Sequence, residues 1–153
     1  MKKMRRADRL MDTEEAAKLL EKGDYGIFCT VDQEGQPYGT PVHYVFYKGN
    51  IYFHAATVGT KLDNIKENQK VCFTVVTTSE VEPEKFSTIY ESVMAFGKAA
   101  VTDEEEKVKI LMELVKKYSP EYIKEGEAYI EASKNATVVI KIEVGSFTGK
   151  HRV

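Results

Sequence analysis

The chain has 153 residues, 42% of them hydrophobic and 30% charged, with a formal net charge of −2. That composition suits one folded domain with its own core and argues against wholesale disorder. The acidic balance disfavours a dedicated nucleic-acid binder, which would concentrate Lys and Arg on one face. No apolar run approaches the roughly 20 residues of a membrane span.

Residues 1–9 form a basic arm, and charged residues follow where a signal peptide would carry its apolar stretch, so the expected location is cytoplasmic. Asp12 and Glu15 have capping-box spacing, which predicts a short helix with Ala16, Leu19 and Leu20 inward and Gly23 as its stop. Residues 25–31, 37–47 and 51–55 are rich in β-formers and are joined at Asp32-Gln33-Glu34-Gly35 and Lys48-Gly49-Asn50, which predicts a three-stranded meander. A Gly loop at Thr57-Val58-Gly59 leads into a short helix over 60–68. Residues 71–78 read as a strand, 80–84 as an exposed acidic loop, and 90–101 as a long strand with Gly97 at a bulge or bend. Residues 103–118 give the clearest helix, acidic in its first turn and basic in its last, with Val108, Leu111, Leu114, Val115 and Tyr118 on its apolar face. A further helix runs to about residue 132, a last strand covers 137–144, and 145–153 is a tail. The expected fold is mainly β with flanking helices: six strands, mostly antiparallel and closed into a barrel, in one domain over 1–153.

Catalytic motifs of the common hydrolases and nucleotide-binding folds are missing, and His43, His54 and His151 lack the spacing of metal ligands. Cys29 and Cys72 sit in apolar strands without C-x-x-C spacing and read as small buried hydrophobes. Three segments are candidates for a site. In the first, a strand ends at His54-Ala55-Ala56 and a helix opens at Thr60-Lys61. A helix start offers free N–H groups and a positive dipole end, which suits a phosphate. Lys61 in the first turn opposes that dipole at a cost of about 0.3–1 kcal/mol, which a bound anion would remove. Lys61, the Thr60 hydroxyl and His54 are thus candidates for a phosphate cradle. By local pattern alone, Thr60 also reads as a plain N-cap and Lys61 as a solvated surface residue. The second segment is Gly39-Thr40-Pro41-Val42-His43-Tyr44, where Pro41 belongs at an edge or bulge. The third is Ser92, among mostly apolar neighbours; an edge strand and a packed serine are the plain readings of these two.

Taken in order, these pieces resemble the FMN-binding split-barrel proteins related to pyridoxamine 5′-phosphate oxidase, and within them the nitroimidazole-resistance (Nim-type) branch. The resemblance rests on the Arg5-Arg6-Ala7-Asp8-Arg9 arm, Tyr52-Phe53-His54-Ala55-Ala56 with Gly59-Thr60-Lys61-Leu62, Lys70-Val71-Cys72-Phe73, Tyr90-Glu91-Ser92-Val93 through Phe96-Gly97, and Gly149-Lys150-His151-Arg152. It implies a homodimer with FMN at the subunit interface. Thr60 and Lys61 would hold the phosphate. Pro41, Val42, His43 and Tyr44 would lie along the isoalloxazine ring, and His54 and Ala55 beside the ring or ribityl chain. Ser92 would reach the flavin from a neighbouring strand, and Lys150 and His151 would come from the partner subunit. Thr60 stands where the oxidases carry an Arg before the Lys, which implies a less charged grip on the phosphate; vitamin B6 oxidation is not expected. The implied activity is electron transfer from a nicotinamide (NAD(P)H) or other donor through FMN to a small acceptor, a nitro compound among them. Two other readings stay open: a flavin or heme carrier on the same barrel, with His54, His43 or His151 as heme ligand, and a small interaction barrel of the oligonucleotide-binding type.

Overall fold

The computed structural model describes residues 2–153. In chain order the elements are α1 (Thr13–Lys22), β1 (Tyr25–Val31), β2 (Pro37–His43), β3 (Val45–Tyr47), β4 (Asn50–Ala56), α2 (Thr60–Glu67), β5 (Lys70–Glu82), β6 (Ser87–Val101), α3 (Glu104–Tyr118), α4 (Ile123–Ser133) and β7 (Thr137–Arg152). All seven strands belong to one antiparallel sheet in the order β2-β1-β5-β6-β7-β4-β3.

That order corrects the sequence reading in two respects. The strand expected over 37–47 is two strands, so the count is seven rather than six. The expected meander also fails. β2 and β3 follow each other in the chain yet lie at opposite edges of the sheet, so the sheet must curl until its edges meet at Tyr44. Local β-propensity saw the apolar run but not the break, because the break is set by partners far along the chain. Residues 80–84 were expected to form a loop; β5 instead continues to Glu82 before a 3-10 turn at Pro83–Lys85. The expected tail is strand as far as Arg152, laddered against β6.

Alternation along the strands divides the protein into an inside and an outside. Phe28, Phe53, Phe73 and Tyr44 fill the barrel; Phe28 stands 4.7 Å from Phe53, and Tyr44 stands 4.9 Å from Phe73, by ring centroids. Leu19 and Leu20 of α1 and Leu62 and Ile65 of α2 join this core. The Asn64 amide of α2 donates 2.9 Å to the buried Thr30 hydroxyl and fixes that helix to β1. A second core lies outside the barrel, where Ile110, Leu111 and Leu114 of α3 and Ile130 of α4 cover Val45, Tyr52 and Val139. Val108, expected on the apolar face of α3, is exposed; the buried stripe is Lys107, Ile110, Leu111 and Leu114. Lys107 tolerates burial because its ammonium donates to the Lys134 and Thr137 carbonyls, 2.6 and 3.1 Å away, and pairs with Glu104.

Gly97 marks a register shift between β6 and β7, as its position in the strand suggests. A Cβ there would stand 2.1 Å from the Glu143 carbonyl oxygen, so no other residue lets the backbones approach so closely.

Candidate functional site

β4 carries the chain to the site. Its side chains alternate, so Phe53 and Ala55 turn into the barrel while His54 turns out on the same side as Tyr52, toward α3 and α4. After Ala56 a three-residue loop ends at Gly59, which caps α2 with φ +152° and ψ 168°. That backbone region belongs to glycine. Thr60 is therefore the first helical residue rather than the N-cap. Gly59 supplies no side-chain cap, so the first N–H groups of α2 have no partner among the described residues. Lys61 forms no ion pair among the described residues. Open N–H groups, a free ammonium and a glycine with open space before it form a cradle of the kind an anionic oxygen cluster fits.

His54 connects this helix start to a cleft of about 360 Å³ between β4, α3 and α4. Leu111, Leu114, Val115 and Ile130 line its apolar part; His43, His54 and Tyr118 line its polar edge. Burial against the cleft walls lowers the pKa of His54 below its ordinary 6.5, with further lowering from His43 and Lys61. His43 faces the Asp24 carbonyl with Nδ1 at 3.0 Å. A carbonyl can only accept, so Nδ1 carries a proton and the neutral ring keeps Nε2 as an acceptor. The ring packs edge-on against Tyr118 with centroids 4.9 Å apart.

Tyr118 and Lys117 also close the barrel behind the cleft. The Tyr118 hydroxyl accepts from the Tyr44 N–H at 3.1 Å and lies 2.5 Å from the Asp24 carbonyl and 2.9 Å from that of Tyr44. Lys117 donates to the carbonyls of Gly23 and Tyr44, and its ammonium sits 4.0 Å from the centre of the Tyr44 ring. Burial pulls the Lys117 ammonium down to about 8.

The expected site residues separate into five groups. His43, His54 and Lys61 come together around the helix start and the cleft. Pro41 is exposed on edge strand β2, opposite Ile27. Val42, Tyr44 and Ala55 turn inward to the core; Tyr44 is fully buried, its hydroxyl donates to the Leu20 carbonyl, and its backbone groups are already engaged. Ser92 and Lys150 face each other on β6 and β7 and line a second cleft of about 310 Å³ with Thr74, Met94 and Phe96. His151, next along β7, turns to the opposite face from Lys150. In sheet order Lys150 stands four strands from His43, about 19 Å along the sheet at ordinary strand spacing.

Between His43 and the Ser92 cleft the outer face of the sheet is mainly apolar, with Lys2 and Lys150 at the cleft end. Tyr25, Ile27, Cys29, Cys72, Thr74, Val76, Met94 and Phe96 occupy it, and Tyr25, Val76 and Met94 are exposed. The two cysteines are directly opposite across β1 and β5; burial and the neighbouring Cys29 raise the Cys72 thiol to about 11. A shallow groove of about 480 Å³ by the β1–β2 turn is lined by Asp32, Glu34, Asp63 and Glu67 and holds none of the expected residues. Among the described residues no His, Cys, Asp or Glu group is placed to hold a metal ion, and no helix is long and apolar enough to cross a membrane.

A family model described as pyridoxamine 5′-phosphate oxidase matches residues 12–151. No curated relative matches the chain. Among solved structures, a proposed 5-nitroimidazole antibiotic resistance protein from Bacteroides thetaiotaomicron superposes with a TM-score of 0.79 at 24% identity, over 92% of this chain and 85% of the other. The flavocytochrome Anf3 from Azotobacter vinelandii gives 0.78 at 20% identity, over 99% and 72%. The FAD and heme binding protein from Mycobacterium smegmatis gives 0.79 at 20% identity, over 92% and 71%. At these identities the likeness is one of fold: the split barrel.

Proposed function

The chain belongs to the pyridoxamine 5′-phosphate oxidase family, and on that premise we propose that it is an FMN-binding homodimer that acts as an oxidoreductase. The observation that carries the reading is the start of α2: uncapped N–H groups at Gly59 and Thr60, with Lys61 unpaired among the described residues. That arrangement suits the terminal phosphate of a mononucleotide. From there the isoalloxazine ring would reach toward His54 and His43, with the edge of β2 at Pro41 alongside. When bound, FMN supplies hydride and single-electron chemistry that no side chain of this protein offers. His43 and His54 would orient the ring and hydrogen-bond its polar edge, while the apolar wall of α3 and α4 excludes water. Several solved structures of this fold are named as flavin or flavin and heme proteins, which supports the class of cofactor.

The division of the expected site supports the dimer. Ser92 and Lys150 line a cleft that shares no residue with the one at His43 and His54. A second copy docked through the outer face of β1, β5 and β6 would bring its Ser92 and Lys150 to that flavin and cover the apolar patch of Tyr25, Val76 and Met94. The reaction proposed is reduction of FMN by a nicotinamide or other donor, followed by electron transfer to a small acceptor, with nitro compounds one class.

Flavin titration tests the reading. The protein should bind FMN with a shift in its visible bands, and Lys61→Ala should weaken that binding at least tenfold, about 1.4 kcal/mol. Equal FMN affinity in the two proteins would remove the phosphate from this helix. Light scattering should give a dimer mass. A second reading, a flavin or heme carrier without turnover, draws on the two imidazoles at one apolar cleft; FMN-dependent NADH or NADPH oxidation under anaerobic conditions separates the two.

A further inference from the structure

We infer that Cys29 and Cys72 form a two-thiolate site, on the outer face of the sheet, for a soft monovalent cation of the copper(I) class. Its donors come from one chain, and it does not rest on the flavin reading.

Position is the first argument. The chain has no cysteines besides these two, and they are direct partners across β1 and β5. Direct partners in an antiparallel pair point to the same face with their Cβ atoms about 4.5–5.5 Å apart. Both side chains are half-buried, and the two thiols lie within hydrogen-bonding reach of each other. One ion between the sulfurs can bond to both without any movement of the backbone. Gly39 is the partner of Cys29 on its other side, in β2. Even a Cβ there would lie 3.9 Å from the Cys29 sulfur, so the glycine leaves that flank of the thiol open.

The number and kind of donors give the second argument. Among the described residues no third His, Cys, Asp or Glu joins the pair. A structural zinc takes four ligands, and calcium and magnesium take oxygens, so none of the three is satisfied here. Thiolate and thioether donors select copper(I), which accepts two sulfurs in line. Across β5 and β6, Cys72 faces Phe96 and Thr74 faces Met94. Met94 is therefore diagonal to Cys72 on the same face, where a long side chain can bring its thioether close. Two thiolates around one monovalent cation carry a net negative charge. Lys70, exposed and two places before Cys72 on the same face of β5, supplies the opposite charge.

Burial and Cys29 keep the Cys72 thiol protonated at neutral pH. Binding is thus an exchange: each S–H bond that breaks releases its proton to solvent as a sulfur–copper bond forms, and no oxidation state changes. A second copy docked on this face would cover the ion without adding to its ligands.

Titration with copper(I) tests the site. The protein is reduced, freed of reductant in the absence of air, and set in competition with the coloured chelator bicinchoninate. One ion per chain should pass from the chelator to the protein. Cys29→Ser and, independently, Cys72→Ser should each weaken binding at least tenfold with the far-UV spectrum unchanged, and either folded variant is sufficient. Zinc, in competition with a coloured zinc chelator, should stay with the chelator. One copper per two chains would mean that the thiols of separate chains share the ion, and would overturn the inference. So would a folded serine variant that holds copper like the parent, zinc bound as tightly as copper, or a Cys29–Cys72 disulfide that reductant fails to open, seen by mass as the loss of two hydrogens.

Discussion

The Tyr118 hydroxyl lies 3.1 Å from the backbone nitrogen of Tyr44 and 2.9 Å from its carbonyl oxygen, so one phenol serves both backbone groups of the residue at which the barrel closes. Tyr44 sits between β2 and β3, where the chain leaves one edge of the sheet to join the other. Its peptide groups leave the ladder there and would be buried without partners. The end of α3 supplies them: Tyr118 takes the N–H, and Lys117 donates 2.9 Å to the carbonyl. Because the Tyr118 ring also packs on His43, the closure of the fold and the polar edge of the cleft share one side chain.

Tyr118→Phe should therefore destabilise the protein more than the loss of a surface hydroxyl. The Tyr44 N–H would be left buried and unpaired, at a cost of about 1–3 kcal/mol. The phenyl ring keeps its packing on His43, so the cleft should persist. Urea unfolding of the two proteins reads the difference directly, and amide exchange at Tyr44 should speed up in the variant. A loss within 0.3 kcal/mol of zero, or unchanged exchange at Tyr44, would show that water serves the Tyr44 N–H as well.

How far the sequence could be read follows the range of the interactions. α1 and α3 are legible because their signals are local: Asp12 and Asp103 accept from the Glu14 and Glu106 N–H groups and start the two helices. β1 and the run around Gly97 are legible for the same reason. The break at Tyr44 is not, since its partners Leu20, Lys117 and Tyr118 come from two helices and lie up to 74 residues away. Propensity extends a strand through Val42 to Phe46 because Val42, Tyr44, Val45 and Phe46 all favour one. The candidate site divides likewise. His54, Thr60 and Lys61 could be picked out from a strand-loop-helix pattern. The cleft wall could not, because Leu111, Leu114 and Val115 look in sequence like any apolar helix face, and only the tertiary fold opens it beside His54.

His54 sets a pH dependence whose sign can be worked out. Its pKa in the folded protein lies below 6.5 because of burial, then His43 and Lys61. As pH falls through 6.5 the unfolded chain protonates this histidine before the folded protein does, so this group subtracts stability on the acid side and leaves it intact above about 6.5. Lys61→Met should raise the folded pKa of His54 by removing one of the two nearby positive influences, and should narrow the acid loss of stability. Burial remains, so the value should stay below that of a free imidazole. An NMR pH titration of the three histidines measures all of this, and a His54 midpoint that stays put or drops in Lys61→Met would mean the ammonium does not face the ring.

Gly59 is where conformation and the proposed anion site can be separated by one methyl group. At φ +152° and ψ 168° an L-residue is strained by about 1–3 kcal/mol. Yet a Cβ would meet nothing within 4 Å, so any effect of Gly59→Ala comes from the backbone and not from a clash. Either the strain is retained and appears as lost stability, or the loop relaxes and the first turn of α2 unwinds. Unwinding withdraws the N–H groups that suit the phosphate, so FMN affinity should drop at least tenfold even where the melting temperature recovers. Gly35→Ala is the control: it has a positive φ of +83° in the β1–β2 turn and equally open surroundings. It should lose stability by a similar mechanism and leave FMN binding unchanged. If both variants bound FMN like the parent, the start of α2 would not be what holds the cofactor.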